Sequence, residues 1–522
     1  MVTKRLLTLL PIFLSYICVL GLPKKYPTIH IAGLFDQNED EEIQRMFELS
    51  VRALSVERYR NDELPKVFFM PEMEEIEGDP FEVSLKVCQL IDLGIAGIFG
   101  PQQKEVDETV QSICNTLEVP HISVRQDSSQ SFEPRGLRLN LFPHVSVLSR
   151  VYDQLVTEFK WKSFAILYEN SDSLIRMHLL LKRWDTQGNS AFLYHLGDGP
   201  NYRKGMQEIK ASKIENIIID CSYKILDKVL TQAQQVGILS DKHKVIVTSL
   251  DLQTLDLNPY QYSGVNLTGV RLIDPEDPIA LQILKKHDKE WGLDDLSKLR
   301  VEPALMYDAV QLFARAFKQL KDATTGDVKK LQCDDDSRWE HGLSLSNFMR
   351  SIETRGLTGL VKFDRDGFRS NIELDIVRLT ENGLTKIGDW NSTAGASIDW
   401  LPEVKQSDIK LNIQNKTFIV LISLTAPYGM EKESWDTLHG NDRYEGFGVD
   451  VIDHISKILE FNYTLQVETN YGKLLDNTTG KWNGMLGKII AEEADLAITD
   501  LTITSLREKY VDFSMPIMNL GM

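Results

Sequence analysis

The sequence predicts an α/β fold built from two lobes, each a parallel sheet covered by helices on both faces. Short β-branched runs alternate with longer amphipathic stretches from residue 28 to about residue 247. This alternation is interrupted near residue 140 and then resumes. Because parallel strands are usually joined by crossover helices, the alternation indicates parallel sheets. Two lobes in series indicate a bilobed, clamshell-shaped binding protein.

The predicted elements follow one another in a regular order. In the first lobe they are a strand at 28–35, a helix at 41–59, a strand at 66–70, a helix at 80–93, a strand at 95–99 and a helix at 106–117. The chain crosses to the second lobe around 137–143. The strands of that lobe are predicted at 163–168, 216–220 and 244–248.

A change of composition marks a second domain. Residues 388–408 are rich in Ser, Gly, Thr and Asp, which end the rhythm of strands and helices, so they are predicted to form a linker. The clamshell then covers 22–387 and the second domain 409–522. Residues 417–422 are predicted to be the first strand of this second domain.

Composition also bounds the class of protein. The 522 residues include 76 acidic and 58 basic side chains, for a net charge of −18. This balance argues against nucleic acid as a partner and is most simply a solvated acidic surface. No dinucleotide, phosphate-loop, zinc-protease or nucleophile-elbow motif is present, so we expect no enzyme, no cofactor and no metal site.

The N-terminus and the cysteines indicate an oxidising compartment. Residues 1–21 have the basic start and short apolar core of a secretory signal peptide, and no later segment is apolar over the roughly 20 residues that span a bilayer. Four cysteines remain after the signal, with three possible pairings: Cys88, Cys114, Cys221 and Cys333. Five sequons are candidate N-glycosylation sites: Asn266, Asn391, Asn415, Asn462 and Asn477.

Three motifs occur in a fixed order within a stretch of about 370 residues: Gly97-Ile-Phe-Gly-Pro101, Leu305-Met-Tyr-Asp-Ala-Val310 and Gly356-Leu-Thr-Gly-Leu-Val-Lys-Phe-Asp364. Together they resemble the amino-terminal domain of ionotropic glutamate receptors, which is similar to leucine-binding proteins. The resemblance implies a bilobed periplasmic-binding-protein-like clamshell with a Cys88–Cys333 disulfide and two buried free thiols. A disulfide closing so long a loop stabilises by about 4–5 kcal/mol in the chain-entropy model.

The segments 441–447, 482–485 and 494–516 resemble the first half of the glutamate-binding domain of the same receptors, closest to the kainate type. The resemblance implies that 409–522 is an incomplete periplasmic-binding-protein-like lobe, which ends at Met522 before a pore. The second half of the binding site and the pore helices are expected to be absent from this chain, so we expect it to bind ligand weakly or not at all.

The residues around Arg507 suit an anion. Ser505 and Glu508 form a capping box, which predicts a helix start, and free amide groups at a helix N-terminus favour negative charge. Arg507 in the first turn can hold a carboxylate by two parallel hydrogen bonds, and Thr502 adds a hydroxyl. The spacing alone favours an ordinary surface arginine. The resemblance of the whole segment favours a cradle for an amino-acid α-carboxylate.

The resemblance also assigns a role to each candidate residue. Arg507 matches the arginine that pairs with the ligand α-carboxylate, Thr502 the residue that assists it, and Tyr471 the aromatic residue that covers the ligand. Asp500 stands where the family offers a backbone carbonyl to the ligand ammonium, often from a proline. Thr425 stands where an acidic residue is common. Both departures bear on affinity for the ligand.

The leading interpretation is the extracellular part of a kainate-type ionotropic glutamate receptor subunit. It implies L-glutamate as ligand and other glutamate receptor subunits as partners in a homo- or hetero-tetramer, dimerising through the amino-terminal domain. The full-length receptor would lie in the plasma membrane at synapses, and the chain as given would be secreted. The alternatives are a secreted isoform that acts as an assembly partner or decoy, and a free-standing solute-binding protein.

Overall fold

The computed structural model describes two compact units, which divide between residues 401 and 402. The described residues are 26–36, 40–57, 64–127, 136–186, 190–334, 337–364, 367–393, 398–401, 417–459, 461–476, 481–491, 493–504, 506–507 and 509–514. The predicted signal peptide and the sequons at Asn415 and Asn477 lie outside these ranges.

The first lobe of unit 1 is a five-stranded parallel sheet with strand order β2-β1-β3-β4-β5. In chain order its elements are β1 (Thr28–Asp36), α1 (Glu41–Glu57), β2 (Phe68–Ile76), α2 (Pro80–Leu93), β3 (Ile95–Phe99), α3 (Lys104–Leu117), β4 (His121–Ser123) and β5 (Arg138–Asn140). The predicted alternation is confirmed here. Strand β2 extends beyond the predicted residue 70, because it pairs with β1 along its whole length.

The second lobe is an eight-stranded sheet with order β15-β14-β13-β10-β9-β8-β6-β7. Its first elements are α4 (Val145–Glu158), β6 (Ser163–Tyr168), α5 (Ser171–Arg176), α6 (His178–Thr186), β7 (Ser190–His195), α7 (Arg203–Ala211), β8 (Asn216–Asp220), α8 (Tyr223–Val236), β9 (Lys244–Val247), α9 (Asn258–Gln261) and β10 (Asn266–Arg271). Neighbouring strands from β6 to β10 are parallel, as predicted.

The rest of unit 1 adds helices and an antiparallel extension. Its elements are α10 (Pro278–Trp291), α11 (Val301–Ala323), α12 (Gly342–Ser351), β11 (Thr354–Gly356), β12 (Gly359–Val361), β13 (Glu373–Thr380), β14 (Gly383–Asn391) and β15 (Ile398–Trp400). Strands β13 to β15 join the second sheet in antiparallel order beside β10. These three strands were not among the elements predicted from the sequence.

The antiparallel extension corrects the start of the predicted linker. Residues 388–391 belong to β14, and residues 398–400 form β15, which pairs with β14. Residues 388–391 and 398–400 of the predicted linker therefore belong to the sheet of unit 1. The units divide between residues 401 and 402, and the rest of the predicted linker, from residue 402 on, lies outside the described residues.

Helix α11 packs its apolar face against the first sheet. The apolar side chains of this helix that face the sheet are buried, including Phe313 and Phe317. The Phe317 ring lies 5.7 Å from that of Phe69, and the Phe313 ring lies 5.6 Å from that of Phe99. A Cβ on Gly97 would lie 2.8 Å from the Phe313 ring, so a glycine is required at this position of β3.

A buried carboxylate joins α11 to the hairpin of β11 and β12. Asp308 is 1% exposed and accepts hydrogen bonds from the backbone N–H groups of Leu357 (2.8 Å) and Thr358 (2.9 Å) and from the Thr358 hydroxyl. A Cβ on Gly356 would lie 1.9 Å from Asp308 Oδ1, so only glycine allows this approach. Two of the sequence motifs therefore meet at one carboxylate.

A buried arginine links the same hairpin to the segments that cross between the lobes. Arg369 is 2% exposed and donates to the carbonyl oxygens of Leu141 (3.2 Å), Thr358 (2.6 Å) and Leu360 (3.0 Å). Burial lowers the pKa of its guanidinium to about 10, which leaves it charged at neutral pH. Leu141 lies on the first crossing and Arg369 on the last, so this side chain connects the two crossing segments.

The cysteines lie as the resemblance implied. Cys88 on α2 and Cys333 are bonded as a disulfide, with their Cα atoms 5.7 Å apart. Cys114 and Cys221 are free and buried. Among the predicted glycosylation sites, Asn462 is exposed and Asn266 and Asn391 are partly exposed, and all three stay predictions.

Unit 2 is a smaller α/β unit around a three-stranded parallel sheet with order β19-β16-β22. Its elements are β16 (Thr417–Ile422), β17 (Met430–Glu431), β18 (Tyr444–Glu445), α13 (Phe447–Leu459), β19 (Asn462–Val467), β20 (Leu474–Asp476), β21 (Lys481–Trp482), α14 (Gly484–Ile490) and β22 (Leu496–Ile498). The predicted first strand, 417–422, is confirmed.

Replacing Asp308 by alanine is expected to lower the free energy of unfolding of unit 1 by about 3–5 kcal/mol. The change leaves three buried donors without their acceptor and removes negative charge near the buried Arg369. Chemical denaturation of the purified chain measures this loss. The control is Asp322→Ala on the same helix, where an exposed pair with Lys318 is lost and less than about 0.5 kcal/mol is expected. Equal losses in the two variants would contradict the assignment.

Replacing both Cys88 and Cys333 by serine is expected to lower the free energy of unfolding by about 4–5 kcal/mol, because the unfolded chain regains the entropy of a loop of 245 residues. The double variant avoids an unpaired thiol. It should also lose the mobility difference between reducing and non-reducing gels that the wild-type chain shows. An unchanged denaturation midpoint would show that the bond does not stabilise the native chain.

Candidate functional site

The candidate site in unit 2 lies at the carboxyl ends of its three parallel strands. In open parallel sheets, ligands bind in the crevice outside these strand ends. Ser423 and Thr425 follow β16, Tyr471 comes after β19, and Thr499 and Asp500 follow β22. Because the three strands are neighbours, these side chains meet although they are far apart in sequence.

Two chains of hydroxyl groups converge on one oxygen of Asp500. The Tyr471 hydroxyl donates to Asp500 Oδ1 at 2.7 Å, and the Thr425 hydroxyl oxygen lies 3.3 Å from the Tyr471 hydroxyl oxygen. The Thr499 hydroxyl donates to the same oxygen at 2.9 Å, and the Ser423 hydroxyl oxygen lies 2.5 Å from the Thr499 hydroxyl oxygen. Ser423 is also 3.5 Å from Oδ1. Since each hydroxyl has one proton, these distances order both chains toward the carboxylate.

This arrangement keeps Asp500 charged. Desolvation is the largest single influence and would raise the pKa of its carboxyl, but the hydrogen bonds from Tyr471, Thr499, Ser423 and its own backbone N–H together outweigh it and hold the pKa below its ordinary value. The side chain is exposed. Asp500 therefore carries a full negative charge at neutral pH at the edge of the crevice.

Arg507 is oriented by the segment that follows β22. Its Nη1 donates to the backbone carbonyl of Thr502 at 2.6 Å, and its side chain is half-buried. The guanidinium has five N–H groups, so this bond leaves donors for a carboxylate. The pair Arg507 and Thr502 is thus in direct contact, as is the pair Tyr471 and Asp500.

The predicted helix start around Arg507 is not found in the described residues. Ser505 and Glu508, the capping box, lie outside them, and residues 506–507 and 509–510 form turns. The backbone N–H of Arg507 donates to Thr504 and that of Tyr510 to Arg507, both across three residues. The backbone N–H of Val511 also donates to the Arg507 carbonyl oxygen, across four residues, and the predicted helix start stays a prediction.

Sequence reasoning missed two participants, Ser423 and Thr499. Each is a small hydroxyl residue that directly follows a parallel strand, and this position is the signal that could have indicated them.

An ion pair lies at the end of the neighbouring strand, β19. Lys488 on α14 lies 2.6 Å from Glu468, and this hydrogen bond lowers the pKa of Glu468.

Unit 1 has a cleft of about 270 Å³ between its lobes, and its charged groups are largely paired with one another. Asp251 of the second lobe accepts from the backbone N–H of Val301 at the start of α11 (2.7 Å). Arg300 lies 2.7 Å from Glu302 and 4.7 Å from the centre of the Tyr223 ring. Arg176 pairs with Asp220 at 2.8 Å. The Asp251–Val301 and Arg300–Tyr223 contacts connect the second lobe to the start of α11, whereas Arg176 and Asp220 pair within the second lobe.

Two family models match the chain, one in each unit. Residues 50–382 match the model described as receptor family ligand binding region. Residues 416–522 match the model described as ligated ion channel L-glutamate- and glycine-binding site. The second match contains every candidate residue of the crevice in unit 2.

Two curated relatives cover nearly the whole chain. Glutamate receptor ionotropic, kainate 1 from Mus musculus is 35% identical over 529 residues, which are 98% of this chain and 62% of the relative. The protein of the same name from Homo sapiens is 35% identical over 540 residues, which are 98% of this chain and 58% of the relative. The chain therefore spans about three fifths of the length of these relatives.

These relatives are receptors rather than enzymes. In the part of the chain that the structure describes, no helix combines the length and the apolar character needed to cross a bilayer. The two family models, their order along the chain and the extended similarity agree with the clamshell of unit 1 and the strand-end crevice of unit 2. The chain belongs to the family of kainate-type ionotropic glutamate receptor subunits and comprises its extracellular ligand-binding regions.

Proposed function

We propose that unit 2 supplies one side of an L-glutamate site in a subunit of a glutamate-gated cation channel. One observation carries the proposal. A charged arginine and a charged aspartate both lie just beyond the same parallel strand, inside the region that matches a glutamate- and glycine-binding model. An α-amino acid carries the two opposite charges that such a pair can bind.

Each residue then has a defined task. Arg507 binds the ligand α-carboxylate through N–H groups that it does not use on Thr502, and bidentate pairing of this kind is specific for planar carboxylates. Thr502 adds its hydroxyl and fixes the guanidinium through its carbonyl oxygen. Tyr471 covers the ligand with its ring while its hydroxyl is anchored to Asp500.

In the full-length subunit a second lobe would complete the site. It would supply further groups for the ligand ammonium and side-chain carboxylate, and its closure over the ligand would open a pore in a tetramer. Charged hydrogen bonds gain little where water competes for the same groups, so we expect closure of this second lobe to strengthen glutamate binding.

Unit 1 would serve assembly with other receptor subunits. Its cleft pairs its own charges, and helix α2 instead presents two exposed apolar side chains one turn apart. Phe81 is 71% exposed and Leu85 is 51% exposed. Large apolar side chains clustered at a surface mark protein interfaces. The same contact would let a secreted form of the chain join or compete with receptor subunits.

Replacing Arg507 by lysine in a full-length subunit that carries these residues is expected to abolish glutamate-evoked current, because an ammonium cannot form the two parallel hydrogen bonds. Voltage-clamp recording measures the current, with surface labelling to confirm delivery to the membrane. Lys509→Arg, an exposed neighbour, is the control and should respond normally. A normal glutamate response in the Arg507 variant would contradict the proposed role of Arg507 in binding the ligand.

Replacing Phe81 by aspartate is expected to weaken self-association of the chain at least tenfold, because a charge would be buried in an apolar contact. Sedimentation velocity over a concentration series measures the dissociation constant. Tyr262 is 78% exposed elsewhere on unit 1, and Tyr262→Asp is the matched control with no expected change. A wild-type chain that stays monomeric at high concentration would rule out this face as a dimer contact.

A further inference from the structure

A cavity of about 90 Å³ lies beside the sheet of the second lobe in unit 1. Its polar side chains come from three neighbouring strands: Lys244 on β9, Asn266 and Thr268 on β10, and Arg378 on β13. In the register of the sheet, Asn266 lies opposite Lys244, and Thr268 lies opposite Arg378. Because alternate residues of a strand share one face, Asn266 and Thr268 lie on the same face of the sheet. The strand pairing therefore brings these four polar side chains to one place.

Two aromatic side chains form an apolar wall of this cavity. Phe159 and Trp161 both line it, and their ring centres lie 6.0 Å apart. Trp161 is 4% exposed, and among the described residues no group accepts a hydrogen bond from its indole N–H. A buried donor of this kind is rare in native structures, because it loses its hydrogen bonds to water without replacement. The wall thus combines apolar surface with a donor that suits an acceptor brought into the cavity.

Asn266 is also the first residue of a predicted glycosylation sequon, Asn266-Leu-Thr268. The hydroxyl of the buried Thr268 donates to Asn266 Oδ1 at 3.3 Å. Since the oxygen and the nitrogen of a carboxamide point in different directions, this bond turns Nδ2 away from Thr268. Asn266 is partly exposed, so a glycan on Nδ2 can extend into solvent while its first sugar begins beside the cavity.

We propose that the cavity holds the acetamido group of the first N-acetylglucosamine of a glycan at Asn266. The acetamido carbonyl oxygen accepts a hydrogen bond from the Trp161 indole N–H, and the methyl group packs on the Phe159 ring. A volume of about 90 Å³ has room for this group, since it is several times that of one water molecule. The inference concerns a modification of unit 1 and does not rest on the amino-acid site of unit 2.

A small anion would also be attracted by the charges of Lys244 and Arg378. A sugar that is bonded to Asn266 has the advantage, because covalent attachment gives it a high effective concentration at the cavity. The apolar wall favours the sugar as well, since a methyl group and the C–H groups of a sugar ring bury apolar surface there. Trp400 continues this wall: it is 39% exposed, and its ring centre lies 5.9 Å from that of Phe159.

The test measures how fast peptide-N-glycosidase F releases each glycan from the native chain, produced in cells that attach N-glycans. This enzyme cuts the bond between asparagine and the first sugar, so a sugar held in the cavity is protected. Site-resolved mass spectrometry follows Asn266 and, as references outside the cavity, Asn391 and Asn462. Relative to its rate in the denatured chain, release at Asn266 is expected to be slower than at the references by about tenfold or more.

Trp161→Phe keeps an aromatic ring and removes the indole N–H, so it is expected to reduce the protection of Asn266 by about threefold or more. Trp291→Phe is the matched control, because Trp291 is 6% exposed and its indole N–H also has no acceptor among the described residues. This control should leave release at Asn266 unchanged. If Trp161→Phe does not fold, Phe159→Leu removes the ring that packs on the methyl group and carries the same expectation.

Three outcomes would overturn the proposal. The first is an Asn266 that carries no glycan, or a glycan there that is released as fast as those at the references. The second is slow release that neither cavity variant changes, because the protection would then come from the place of Asn266 in the sheet. The third is an equal loss of protection in Trp161→Phe and Trp291→Phe, which would indicate a general loosening of unit 1.

Discussion

The arrangement of unit 1 depends on one buried carboxylate, Asp308. It lies on the long helix α11 and accepts three hydrogen bonds from Leu357 and Thr358, so it fixes the helix of the first lobe to the hairpin that leads back to the second. Burial raises the pKa of this carboxyl, while the hydrogen bonds and Arg369 favour its charged form. Such a group is tolerated in a core only when nearly all of its hydrogen-bonding capacity is used.

This constraint extends to the hinge. Arg369 binds three carbonyl oxygens, two in the hairpin and one on the first crossing segment at Leu141. The crossing segments are therefore tied to the same hairpin as α11. In the cleft, Asp251 of the second lobe binds the start of α11. A clamshell whose lobes are joined by its own side chains has less need of a ligand to close it, which agrees with a role in assembly.

Unit 2 follows a different principle, because its polar groups are collected at one edge of a small sheet. Tyr471, Thr499 and Asp500 form a network that leaves charge at the surface instead of burying it. Arg507, seven residues after Asp500, donates through Nη1 to the Thr502 carbonyl oxygen and has further N–H groups. The contrast is physical: paired charges in unit 1 stabilise a shape, whereas in the described part of unit 2 the Asp500 carboxylate and the Arg507 guanidinium are oriented by hydrogen bonds to uncharged groups.

The α/β class, the order of the early strands and helices, and the resemblance to the family could all be predicted from the amino-acid sequence. Hydrophobic periodicity and the motifs around Gly97, Asp308 and Gly356 are local patterns that survive without coordinates. Strands β13 to β15 could not be predicted in the same way, because β13 joins the sheet by pairing antiparallel with β10, more than 100 residues away in sequence, and β14 and β15 follow it as local hairpins. The tertiary structure alone decided why Gly356 must be glycine and where the Tyr471 hydroxyl points. Both depend on a carboxylate at least 29 residues away in sequence, and contacts over such separations are set by the packing of strands rather than by neighbours along the chain.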